Sequence, residues 1–148
     1  MKFIYLMLAL LVGNNAVACE SMLGTWQSSK KMSMEYNKDK AGLLPAQIEL
    51  LDQILGVLKL TYTQTHIHEH GAEPLKVTVN KKQYDFYFEE IEYPYEVLYC
   101  GKNSITISQQ HPHAGAGKLK LHLINDDVYW VSPDNLPNSR EYFIRVKE

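Results

Sequence analysis

Apolar and polar positions change period twice along this chain, and each change predicts a different element. From Met22 to Met34 the two alternate, with Met32 and Met34 flanking Ser33, which predicts a first strand. Between Leu44 and Leu55 the period lengthens. Leu44, Ile48, Leu51 and Leu55 fall at helical spacing, Leu50 and Ile54 widen the stripe, and Gln47, Glu49, Asp52 and Gln53 take the other face. Pro45 suits a first helical turn and Gly56 a left-handed stop. The spacing predicts one amphipathic helix between the first and second strands.

Period two then returns and persists. Leu58, Leu60, Tyr62, Gln64, His66 and His68 share one face of a second strand, and Lys59, Thr61, Thr63 and Thr65 the other. Leu75, Val77 and Val79 mark a third strand, and Tyr84, Phe86 and Phe88 a fourth. Pro94 interrupts before a fifth, Tyr95 to Cys100; Ile105 and Ile107 lie in a sixth, and Leu119, Leu121 and Leu123 in a seventh. Val128 to Val131 and Arg140 to Lys147 complete the series. Short strands joined by tight polar turns predict an antiparallel meander, closed into a β-barrel of eight to ten strands because closure removes exposed edges.

An odd number of strands cannot alternate in direction round a closed ring. Either the segments flanking Pro94 form one bent strand, or the helix returns the chain along the barrel and the first two strands run the same way. The second arrangement brings Cys100 towards Cys19; a hairpin-like connection between those strands leaves the two at opposite ends.

The chain has 148 residues and a formal charge of -2, which suits one domain with a sizeable core. Its first 18 residues read as a removable export signal. Lys2 supplies the positive charge, Phe3 to Val12 an unbroken apolar run, and Ala16-Val17-Ala18 the small-residue cleavage pattern. The run falls short of the ~20 residues a membrane span needs. Residues 19–148 then form a single domain, periplasmic or secreted, in which Cys19 and Cys100 suit one disulfide. Cys19 also follows the cleavage site directly, as the acylated cysteine of a lipoprotein does, so an anchor through Cys19 is the alternative and the one route to a membrane. Basic residues are scattered, Lys30-Lys31 and Lys81-Lys82 being the longest runs. They cannot neutralise a line of phosphates, and nucleic acid is excluded as a partner.

Gly24-Thr25-Trp26 resembles the opening strand of the calycins, the lipocalins and fatty-acid-binding proteins. Members carry an Arg on the last strand that packs across this Trp at the closed end of the barrel. Arg145, in Tyr142-Phe143-Ile144-Arg145-Val146, is the first match and Arg140 the second. The resemblance implies a lipocalin-like barrel sealed by one indole, with a guanidinium on its face worth about 1 kcal/mol, and a small, largely apolar ligand inside. The helix after the first strand is similar to the helical lid of fatty-acid-binding proteins. Those proteins hold a carboxylate with an Arg and a Tyr near the last strand, which points to Arg140 and Tyr142. The Asp-containing loop motif of the lipocalins has no match.

Two constellations carry chemistry of their own. In His66-Ile67-His68-Glu69-His70 alternation puts three imidazoles on the face of Leu58, Leu60 and Tyr62, the face predicted to turn inward. His111 and His113 end the sixth strand at the same end, so five histidines share one rim able to hold Zn or Cu, with His70, Glu69 or His113 as the further ligand. The plainer reading is a polar mouth of solvated imidazoles. Tyr62, Tyr84, Phe86 and Tyr99, with Phe88 and Tyr95, either line a ligand cavity or pack as core. No nucleophile elbow, His-Glu-x-x-His helix or phosphate loop is present, which favours a non-enzymatic protein. The leading expectation is an exported lipocalin-like carrier of a small apolar molecule. The alternatives are a Zn- or Cu-binding protein using the histidine rim and an envelope protein-interaction module.

Overall fold

Eight strands hydrogen-bond into a closed ring in the computed structural model, which describes residues 19–147; the expected export signal, 1–18, lies outside the described residues. In chain order the elements are a 3₁₀ turn (Glu20–Met22), β1 (Gly24–Ser28), α1 (Lys30–Lys40), α2 (Pro45–Ile54), β2 (Lys59–Tyr62) and β3 (His66–His70). They continue with β4 (Ala72–Val79), β5 (Lys82–Phe88), β6 (Ile91–Cys100), β7 (Ser104–His111), β8 (Gly115–Asn125), β9 (Val128–Val131) and β10 (Glu141–Arg145). The ring runs β1-β10-β9-β8-β7-β6-β3-β2 with every neighbour antiparallel, while β4 and β5 form a separate two-stranded ribbon.

Three expectations are corrected. The first strand stops at Ser28, and residues up to Lys40 form α1 instead. Ser29 caps that helix, its hydroxyl accepting from the Met32 amide. The buried face of α1 includes Ser33 and Asn37 beside Met34. Ser33 Oγ accepts from the Tyr142 amide at 2.9 Å, and the Asn37 amide group exchanges two hydrogen bonds with the Arg140 backbone. A helix that docks through polar side chains leaves no apolar stripe to read.

The second strand is two strands. Thr63 to Thr65 turn the chain, the Thr63 amide donating to the His66 carbonyl at 2.9 Å. Leu60 and Tyr62 point inward on β2, and Ile67 and Glu69 on β3. The turn therefore shifts the parity by one residue, and the three imidazoles face outward.

The ring closes with even parity because the turn at Thr63 to Thr65 adds one strand to the nine expected, and because β3 pairs β6 directly and leaves the two strands of the ribbon outside. The strands expected before and after Pro94 stay separate, and β6 carries Pro94 within it, opposite His66. The arrangement with parallel first and second strands does not occur, since Trp26 lies opposite Leu60 in an antiparallel ladder. The cysteines still meet, owing to the extra reversal at Thr63 to Thr65. Cys19 and Cys100 form a disulfide with Cα atoms 5.8 Å apart, so Cys19 carries no free thiol for a lipid. Among the described residues no helix is long and apolar enough to cross a membrane.

Trp26 seals the end that holds this disulfide. Its ring is 1% exposed and meets Tyr129 edge-on at 4.8 Å, and its Nε1 donates to the Met22 carbonyl. Arg145 lies 4.2 Å over the indole and donates to the carbonyls of Ser21, Leu23 and Asp126. Gly24 has φ +113°, and a Cβ there would sit 3.1 Å from the Arg145 guanidinium, so glycine serves both the backbone and the arginine. Ile105, Ile107, Leu121 and Phe143 fill the barrel beneath.

Candidate functional site

The opposite end of the barrel is open, and the ribbon leans over it. Asn80 and Lys81 take positive φ (51° and 64°), the geometry of a two-residue hairpin turn. α2 holds the ribbon in place through Gln53, whose Nε2 donates to the Thr78 carbonyl at 2.7 Å and whose Oε1 accepts from the Thr78 amide at 2.8 Å. Glu49 accepts from the Asn80 amide at 3.0 Å. The helix expected at Leu44 to Leu55 thus props the ribbon, and the ribbon covers the mouth.

Between the ribbon and the rim lies a cavity of about 420 Å³, walled by Phe86, Phe88, Ile91, Leu58, Glu69 and His111. A second cavity, of about 140 Å³, continues into the barrel past Tyr62, Tyr93, Tyr129 and Glu141. Leu58, Glu69 and His111 border both. The upper volume falls in the range of small-molecule sites, which span roughly 300–1,000 Å³. The lower one matches a single ring, since a site of roughly 150 Å³ accepts benzene.

Glu89 lines the outer space, where it pairs with His113, and two more carboxylates, Glu69 and Glu141, line the inner one. Glu69 accepts from the Tyr93 hydroxyl at 2.6 Å, and His111 Nε2 lies 3.4 Å from the same oxygen. Glu141 accepts from Ser28 Oγ at 2.6 Å, while that hydroxyl accepts from the Gly56 amide at 2.9 Å. Burial pushes the Glu141 carboxyl above its ordinary value; the Ser28 hydrogen bond opposes this, and the charge of Glu69 adds to it. Deeper in, the Tyr62 and Tyr129 hydroxyls lie 3.2 Å apart, and burial raises both above the usual phenol value. Tyr93 is raised too, by burial first and then by Glu69. These phenols stay protonated and offer hydrogen bonds. Among the described residues, neither cavity is lined by a lysine or arginine. The lining suits an apolar body bearing a hydrogen-bond donor or positive charge.

Of the expected ligand residues, Tyr62 lines the inner cavity and Phe86 the outer one. Tyr84 and Tyr99 are 53% and 58% exposed and line neither. Arg140 and Tyr142 lie outside the barrel wall. The Arg140 guanidinium sits 4.1 Å over Tyr36 of α1 and 3.8 Å over Trp130, and its Nη1 donates to the Tyr142 hydroxyl. The last strand points Glu141, Phe143 and Arg145 inward, so the carboxylate-holding pair is replaced by a carboxylate.

The five histidines do not share a rim. His111 borders the mouth, and His113 pairs with Glu89 at 2.8 Å. His66 bonds Thr65 near the Thr63 to Thr65 turn, well away from the mouth. His68 and His70 lie on the outer wall beside Glu90, with ring centroids 4.3 Å apart. Glu69, one of the three residues read as a further metal ligand, instead faces the cavity. Glu141, Tyr93 and Ser28 were not legible as site residues; once Arg145 is placed inward, period two alone puts Glu141 there as well. Comparison of the chain with models of known families, with curated proteins and with solved structures finds no match.

Proposed function

We propose that this chain is an exported, lipocalin-like binding protein that takes a small, largely apolar ligand through the mouth beneath the ribbon. The observation that carries the reading is the two-part cavity, apolar at its walls, with Glu69 and Glu141 inside it, His111 beside Glu69, and no lysine or arginine among the described lining residues. A ligand with an apolar body fills the outer space, and its amine or other donor group reaches the carboxylates. The closed eight-strand ring and the Arg145–Trp26 stack support a calycin-type reading. The Cys19–Cys100 bond and the apolar run Phe3 to Val12 support export to an oxidising compartment.

A pair of fluorescent probes with the same apolar body, one ending in a primary amine and one in a carboxylic acid, tests this in chelator-containing buffer. The amine probe is expected to bind saturably and at least tenfold more tightly than the acid. Glu69→Gln/Glu141→Gln is expected to erase that preference while some uptake persists. No saturable uptake of either probe overturns the reading.

A further inference from the structure

We infer that His68, His70 and Glu90 form a divalent transition-metal site, suited to zinc, on the outer wall at the root of the ribbon. His68 and His70 stand two residues apart on the outward face of β3, their rings 4.3 Å apart and inclined by 32°. Glu90 reaches them from the chain returning after β5. One of its oxygens accepts from His68 Nε2, and the other accepts from the Gly71 amide at 2.6 Å. One donor atom from each of the three side chains lies within 4.8 Å of the others. Two imidazoles and a carboxylate converging from adjacent segments supply three ligands of a tetrahedral zinc site and leave the fourth position to water.

The surrounding groups fix the ligands. His70 Nε2 and Thr61 Oγ1 are 2.8 Å apart, and that hydroxyl is 2.8 Å from Thr25 Oγ1, so the His70 ring is oriented from the neighbouring strands. Glu90 is tethered by the Gly71 amide, and a Cβ on Gly71 would lie 3.0 Å from the Glu90 nitrogen. His68 is 32% exposed, which leaves a metal a route in.

The position links the site to the cavity. Only Gly71 separates His70 from the first leg of the ribbon and only Glu89 separates Glu90 from the second, so one ion holds both legs against the barrel wall. With the roots pinned, Phe86 and Phe88 stay over the mouth. This goes beyond ligand uptake and does not depend on it, since the probe titration in chelator reads the cavity alone.

Zinc titration by calorimetry of the disulfide-intact protein, after chelator treatment, provides the test. One equivalent is expected to bind. His68→Ala/His70→Ala and, separately, Glu90→Gln are each expected to weaken binding at least tenfold, while His66→Ala and His111→Ala/His113→Ala bind as the wild type does. Near-UV circular dichroism verifies that the variants are folded. Hydrogen exchange across residues 71–90 is expected to slow when zinc is present. No uptake of zinc by the wild type, or equal affinity in His68→Ala/His70→Ala, overturns the site. Zinc held by these side chains with unchanged exchange overturns the clamp.

Discussion

Glu141 shows what a single side chain contributes when the register turns it inward. Burial makes its carboxyl hold a proton more tightly in the folded chain than in the unfolded one. The stability tied to this group is therefore full below the unfolded carboxylate value, about 4.3, and is lost as pH rises through the higher folded value. Glu141→Gln keeps an acceptor for Ser28 and removes the charge. The variant is expected to be more stable than the wild type at pH 7, with the advantage shrinking towards pH 4; urea midpoints across that range check it. Legibility at this scale depended on parity. Trp26 and Arg145 were legible because Gly-x-Trp and a last-strand Arg define each other. Glu69 was assigned to the wrong face because Thr63 to Thr65 turn the chain without breaking the alternation. Every side chain of β3 therefore lies on the face opposite to the one expected, which sends His66, His68 and His70 outside.

Among the elements, α2 and the ribbon act as a pair. α2 was legible from its apolar stripe, and Pro45–Ile54 falls within the expected Leu44 to Leu55. Its partner was not, because β4 and β5 have the same alternation as barrel strands and nothing in their sequence says which ladder they join. α1 was hidden for the opposite reason, since Ser33 and Asn37 dock it by hydrogen bonds rather than by burial of an apolar stripe. The hold on the ribbon is concentrated in Gln53, which satisfies both backbone groups of Thr78. Gln53→Ala removes both hydrogen bonds, each worth about 1 kcal/mol. The expected result is at least tenfold faster exchange of the Thr78 amide, read by NMR, with the Leu121 amide in the barrel core unchanged.

For the molecule as a whole, the fold class was legible and the path of the chain was not. Counting strands exposed a parity conflict, and two features together resolve it: the extra turn at Thr63 to Thr65, which adds a strand, and the exclusion of the two-stranded ribbon from the ring. The disulfide joins residues 81 positions apart at the sealed end. Cross-linking so long a loop restricts the unfolded chain strongly, and Cys19→Ser/Cys100→Ser is expected to cost about 2–4 kcal/mol, measured by urea unfolding of wild type and variant. The direct ladder between β3 and β6 has a further consequence. Every barrel strand finds both of its neighbours without help from residues 72–88, so the closure of the ring and the cover over its mouth are written in separate stretches of sequence. The cover can lift or fray while each ladder beneath it stays closed.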